Sequence, residues 1–223
     1  MDKPMGKPTV ARVLAFDQSV ARRPFTSPAL YPRDLAILGY MLEDLRSLLS
    51  RMNAGNLTIV PYRPIEWVVQ DFKRRVVVCD AMSLHNRRSA QLVGFFGERR
   101  IDRDGAPLEE ANFEIVLEFQ KYPGILSYSS MELADGNWAN LVLHNVAEDR
   151  ETWRASEAHA RAARELSPVY YQTVRIHNGV LPDGVMGNRS IVVERTKYWD
   201  FGSNRIWHAV RDLSGSVSPG LAH

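Results

Sequence analysis

Residues 123–145 read PGILSYSSMELADGNWANLVLHN, and this stretch decides the fold. Pro123-Gly124 ends a helical pattern. Residues 125–133 and 138–145 are two apolar runs around Asp135-Gly136-Asn137, a turn signal that joins antiparallel strands. Residues 147–168, AEDRETWRASEAHARAARELSP, follow. Here Asp149 caps a helix over 150–166 and Pro168 breaks it. VYYQTVRIHN at 169–178 gives a strand over 169–177.

Working back, AQLVGFFGE at 90–98 reads as a strand, with Gly94 and Gly97 permitting bends or close approach. Asp104-Gly105 is a turn. Residues 107–122 form a helix, with Pro107 in its first turn and Glu109 and Glu110 near the positive end of its dipole. The order over 90–178 is therefore β-α-β-β-α-β. This is a ferredoxin-like split β-α-β unit, an α+β fold with an antiparallel sheet and both helices on one face. Along 138–145, Trp138, Asn140, Val142 and His144 lie on one side and Ala139, Leu141, Leu143 and Asn145 on the other. Two partly apolar faces imply a second sheet against the first, from the N-terminal half or from another subunit. Residues 190–198 form a further strand that can pair beyond the sheet.

The N-terminal part, 1–88, reads as an α/β segment. Residues 11–16 are a strand candidate and 22–32 a proline-containing arm. Asp34 caps a long helix to about Met52, with Leu35, Leu38, Met41, Leu42, Leu45, Leu48 and Leu49 at helical spacing. Residues 57–60 form a strand candidate. Residues 64–75 fit a short helix through Ile65, Val68, Val69 and Phe72, against their β-branched content. A strand over 76–82 follows. Residues 89–213 form the second domain, and 1–8 and 214–223 read as loose tails.

The chain has 223 residues, 45% of them apolar, with 28 basic and 26 acidic side chains. A globular core can form, and the balanced charge implies no strong field for nucleic acid or a membrane surface. The one cysteine, Cys79, excludes an internal disulfide and a cysteine zinc cluster. Its place in a Val-rich run reads as a buried, inert thiol. No stretch reaches ~18 apolar residues. A soluble, cytoplasmic protein is expected.

Pro123-Gly124-Ile125-Leu126-Ser127-Tyr128, the strand through Leu141-Val142-Leu143, and Trp153-Arg154-Ala155-Ser156 leading to His159 resemble the dimeric α+β barrel superfamily. The resemblance is to its antibiotic-biosynthesis-monooxygenase-like branch and covers the C-terminal two-fifths. It implies a dimeric or internally duplicated α+β barrel, with residues 1–88 as a degenerate second half in the latter case. It also implies a homodimer and a small hydrophobic molecule as partner. The superfamily holds cofactor-free monooxygenases, haem enzymes, dehydratases and isomerases.

His159 is the first candidate residue. It shares a helix face with Ala155, Ala162, Ala163 and Leu166, which leaves room for a flat ligand, and its imidazole can move a proton or ligate haem iron. His144, Arg175 and His177 are the other catalytic candidates; a polar floor forms if their strands point the same way, with Arg175 on a developing oxyanion. Trp138, Asn140 and Trp153 are substrate-binding candidates. No phosphate-loop, dinucleotide or metalloprotease motif is present. The expected function is a small-molecule oxidoreductase, monooxygenase-like or haem-dependent, with haem or no cofactor. The alternatives are a lyase or isomerase using His/Arg acid–base chemistry, or a non-catalytic binding barrel.

Overall fold

A computed structural model describes residues 10–203 and 205–214. The expected tails lie outside the described residues, apart from Ser214. In chain order the strands are β1 (Arg12–Val13), β2 (Pro64–Val69), β3 (Phe72–Val78), β4 (Ala90–Arg99), β5 (Ile125–Glu132), β6 (Trp138–His144), β7 (Tyr171–Leu181), β8 (Val192–Asp200) and β9 (Trp207–Asp212). The helices are α1 (Tyr31–Asn53), α2 (Ala81–Asn86), α3 (Ala106–Glu118), α4 (Ala147–Arg154), α5 (Glu157–Arg161) and α6 (Ser167–Tyr170). This is a mixed α+β fold on one sheet, with strand order β1-β9-β8-β7-β4-β6-β5-β3-β2. Only the β1–β9 pairing is parallel.

The hairpin that decides the fold forms as its residues require. Gly136 takes φ +73, a left-handed conformation that costs a glycine little. Leu133 N–H donates to Asn137 O at 2.8 Å, and the Asp135 carboxylate accepts from Asn137 N–H at 3.1 Å. Asn137 Oδ1 also accepts from Arg99 N–H, which ties the turn to the end of β4.

Several local expectations are corrected. Residues 57–60 form no strand, and Pro168 lies in the first turn of α6 instead of ending the helical stretch. Residues 64–75 form the β2–β3 hairpin, not a helix. Ile65, Trp67 and Val69 face inward in strict alternation, and Gln70 and Asp71 both take positive φ in a two-residue turn. Alternation plus turn outweighs the i, i+3, i+4 spacing of the same apolar residues. The strand expected over 76–82 ends at Val78, and α2 begins at Ala81 with Asp80 as its cap. The single helix expected over 150–166 is broken. Ser156 leaves helical geometry and its Oγ accepts from His159 N–H at 3.2 Å, starting α5, and a π-helical turn spans Ala162–Leu166. Asp149 does not sit at the cap itself but reaches back to Val146 N–H.

The face expected to meet a second sheet is covered by α1. Leu38, Met41, Leu42, Leu45, Leu48 and Leu49 pack on Leu92, Phe96, Ala139, Leu141 and Leu143. A helix of the same chain thus supplies the missing layer, and no second subunit is needed to cover these residues. Residues before 88 also extend the sheet, because β3 hydrogen-bonds to β5. The opposite face carries α3, α4 and α5, with Phe119, Tyr128, Val142 and Trp153 at its centre. Gly94 lets α1 seat: a Cβ there would lie 2.7 Å from the buried Leu38 Cδ1.

Leu38 sits at the centre of this contact and is fully buried. Leu38→Ala is expected to cost about 2–5 kcal/mol, measured by urea unfolding. A loss below about 1 kcal/mol would place α1 elsewhere.

Candidate functional site

The sheet separates the candidate residues into two groups. Arg175 pairs with Phe96 and His177 with Gly94 across β4, on the α1 face. His144 alternates with Val142 onto the opposite face, where its ring lies 5.6 Å from that of Trp153. His144 and His177 therefore do not share a cavity floor, contrary to the arrangement considered from sequence.

On the helical side, Trp153 brings His144 and His159 together; the Trp153 and His159 ring centroids are 4.5 Å apart. The alanine-lined space does not exist. Ala155 and Ala163 face solvent, and the layer beneath is filled by Trp153, Phe119 and Tyr128. Trp153 is a core residue here. Neither of the two cavities described below reaches His144 or His159. These residues do not fit a haem site: the imidazole packs against an indole and faces neither cavity. Several buried polar atoms nevertheless lack a partner, namely both His144 nitrogens, His159 Nδ1 and Trp153 Nε1. Burial pushes the His144 pKa down to about 3, helped by Arg150 and His159. Burial, then Arg154, takes His159 down to about 4. Both imidazoles are neutral near pH 7.

The α1 side holds a connected polar centre. Asp34, 1% exposed, lies in the first turn of α1. Arg175 Nε and Nη2 donate to its two oxygens at 2.8 and 2.9 Å. His177 Nε2 lies 3.0 Å from Asp34 Oδ2, and His177 Nδ1 lies 2.9 Å from Thr196 Oγ1. The carboxylate accepts only, so Nε2 carries the proton and donates. Nδ1 of a neutral ring is then left to accept from the Thr196 hydroxyl. Tyr198, two residues further along β8, accepts from Arg211 Nη1. Asp34, His177 and Thr196 thus form a continuous chain from α1 through β7 to β8. Burial alone would raise the Asp34 pKa. The hydrogen bonds from His177 and Arg175 and the Arg175 charge outweigh it and hold the carboxyl below its usual value.

Two cavities of about 260 Å³ each flank this centre, and Leu30, Asp34 and Arg175 line both. The first opens toward the hairpin turn, with Arg33, Glu98, Asp135, Asn137 and Trp138. The second is walled by Phe16, Pro28, Tyr31, Val192 and Val193, with His177, Thr196, Tyr198 and Arg211 in its lining. A concave, largely apolar space with a few convergent polar groups is the usual form of a small-molecule site.

Of the sequence candidates, Arg175 and His177 join this site and Trp138 lines the first cavity. Asn140 and Trp153 line neither. Sequence reasoning misses Asp34, Thr196 and Arg211 as site residues. Asp34 carries the ordinary signature of a helix N-terminus, and only the tertiary fold brings it into contact with Arg175, 141 residues away in sequence. Cys79 is buried, with its thiol pushed up to about 12 chiefly by burial. No group of three or more potential metal ligands occurs among the described residues. No helix among them is long and apolar enough to cross a membrane.

No family model and no curated protein matches the chain. Among solved structures it is similar to protein SO0527 from Shewanella oneidensis, at 13% identity over 43% of this chain and 95% of that one, TM-score 0.35. It is also similar to SnoaB, a cofactor-independent oxygenase from Streptomyces nogalater, at 12% identity over 47% of this chain and 97% of that one, TM-score 0.34.

The buried histidines make the protein acid-labile. An unfolded histidine titrates near ~6.5, and the folded values are about 3 and about 4. Between these limits the unfolded chain binds protons that the folded chain does not, so stability falls as pH drops from about 6.5 toward 3. Asp34, with its lowered pKa, stabilises above the unfolded carboxyl value of ~3.9, and that contribution is lost as pH falls through its folded value. Urea midpoints between pH 7.5 and 4.5 are expected to decline, and His144→Phe is expected to flatten the decline without lowering stability at pH 7.5. Identical slopes for both proteins would contradict the assignment.

Proposed function

We propose that the protein is a small-molecule enzyme, an oxidoreductase of the monooxygenase-like kind without haem, acting on an apolar substrate in the second cavity. In this reading the unit over β4–α3–β5–β6–α4–α5–β7 is a ferredoxin-like half of an α+β barrel, with α1 in place of a second sheet. The observation that carries the function is the hydroxyl–imidazole–carboxylate chain of Thr196, His177 and Asp34 along an apolar cavity.

Both ring nitrogens of His177 are engaged, so His177 meets the substrate through a hydroxyl. Thr196 Oγ1 takes a proton from the substrate carbon as its own hydroxyl proton passes to His177 Nδ1, and the Asp34 carboxylate stabilises the imidazolium. Arg175 has Nε and Nη2 fixed on Asp34. In this reading its positive charge at the cavity edge stabilises the enolate that develops. A stabilised carbanion of this kind is the species that a cofactor-free oxygenase presents to oxygen. The same proton transfer without oxygen would make the protein a lyase or isomerase.

Turnover of a panel of 1,3-diketones and polyphenols, followed by oxygen uptake and by absorbance, tests the reading. Wild-type protein is expected to consume oxygen with at least one compound. Thr196→Val, which keeps the shape and removes the hydroxyl, is expected to lower kcat by about 10²-fold or more. Turnover without oxygen uptake selects the lyase or isomerase reading. Unchanged turnover in Thr196→Val overturns the relay.

A further inference from the structure

The two cavities share Arg175 but differ in charge. The first is lined by three carboxylates, Asp34, Glu98 and Asp135, against two guanidinium groups, Arg33 and Arg175. The second is lined by Arg175 and Arg211 against Asp34 alone. The Asp34 carboxylate is already saturated by Arg175 and His177. The lining thus carries one net positive charge in the second cavity and one net negative charge in the first, which favours an anion in the second.

The two arginines of the second cavity are not equivalent. Arg211 is 3% exposed, and each of its nitrogens is engaged: Nε with Ala15 O, Nη1 with Tyr198 Oη, and Nη2 with Gln18 O and Thr26 O. It pins the segment around 15–26 beneath the cavity. Arg175 Nη1 makes no hydrogen bond among the described residues. The Arg175 side chain is 15% exposed, and its Cζ lies 5.5 Å from the Phe96 ring centroid, so this edge is partly desolvated and its orientation is fixed by Asp34.

We infer that the second cavity binds a small apolar monocarboxylate, whose carboxylate accepts a hydrogen bond from Arg175 Nη1 while its hydrocarbon part lies against Phe16, Tyr31 and Val193. The volume of about 260 Å³ falls below the roughly 300–1,000 Å³ of drug-sized pockets and limits the ligand to a small acid. One guanidinium edge and one unit of net positive charge match a monoanion rather than a phosphate dianion. The inference rests on reading this cavity as the reactive site and adds the chemical class of what enters it.

Isothermal calorimetry on the full chain tests it with 4-phenylbutyrate and octanoate, each beside its primary amide. The acids are expected to bind about tenfold or more tightly than the amides, because a charge-assisted hydrogen bond is roughly twice as strong as a neutral one. Arg175→Met is expected to bring acid and amide to equal affinity. Since that change leaves Asp34 with one partner fewer, Tyr31→Ala serves as a second variant. Tyr31 is half-buried at the start of α1, its ring lies 6.2 Å from that of His177, and its loss removes part of the apolar wall while Arg175 stays in place. It is expected to weaken binding of acid and amide alike by about tenfold. Equal affinity of acids and amides for wild-type protein, or acid binding unaffected by Tyr31→Ala, overturns the inference. The two readings fail separately. Acid binding with unchanged turnover in Thr196→Val leaves the carboxylate site standing and removes the relay. Thr196-dependent turnover of neutral compounds with no preference for acids does the reverse.

Discussion

The Asp34 carboxylate holds this structure's functional side together. It is buried in the first turn of α1 and accepts from Arg175 and His177 on β7. Each partner constrains the others. The guanidinium neutralises the carboxylate, the carboxylate fixes the tautomer of His177, and the imidazole thereby presents Nδ1 to Thr196. Removing one member of such a buried set leaves an uncompensated charge and costs about 3–5 kcal/mol. The same contact fixes the position of α1, which in turn leaves space on either side of Arg175.

The position of α1 also determines what kind of cavity the fold can offer. Its leucines cover the sheet where a second sheet was expected, from Leu38 over Gly94 to Leu49. The helix is too narrow to cover β8 and β9 as well. There Phe25, Tyr198 and Ala209 make a smaller core, and the second cavity lies between that core and α1. The opposite face is closed by α3, α4 and α5 and has an aromatic filling. Its buried, neutral histidines are expected to set the acid limit of stability, while the polar chain of Asp34, His177 and Thr196 lies on the α1 face.

The hairpin at 125–144 was legible because alternation and an Asp-Gly-Asn turn are local signals. The α1 stripe was legible for the same reason, and both fixed large parts of the sheet and its cover. Residues 64–75 were misread because Ile65, Val68, Val69 and Phe72 satisfy helical spacing while Ile65, Trp67 and Val69 satisfy the strand period. Only the positive φ of Gln70 and Asp71 decides between them. The site was half legible. Arg175 and His177 share a strand face by alternation, and that face meets Asp34 of α1. His144 attracted attention as a histidine, yet its face is set by strand order, which alternation within one strand does not reveal. Asp34 carried a complete local explanation as a helix-terminal acid, so nothing in the sequence called for another.

The tautomer of His177 tests this account most directly. Histidine-selective ¹⁵N NMR of the intact chain near neutral pH reads it without substrate. The account expects His177 as the Nε2–H form, with the Nε2 proton protected from exchange by Asp34 and with Nδ1 shifted by its hydrogen bond from Thr196. Thr196→Val should move the Nδ1 resonance and leave Nε2 in place. An Nδ1–H tautomer, or an Nε2 proton exchanging as freely as that of an exposed histidine, would contradict the contact on which the site is built.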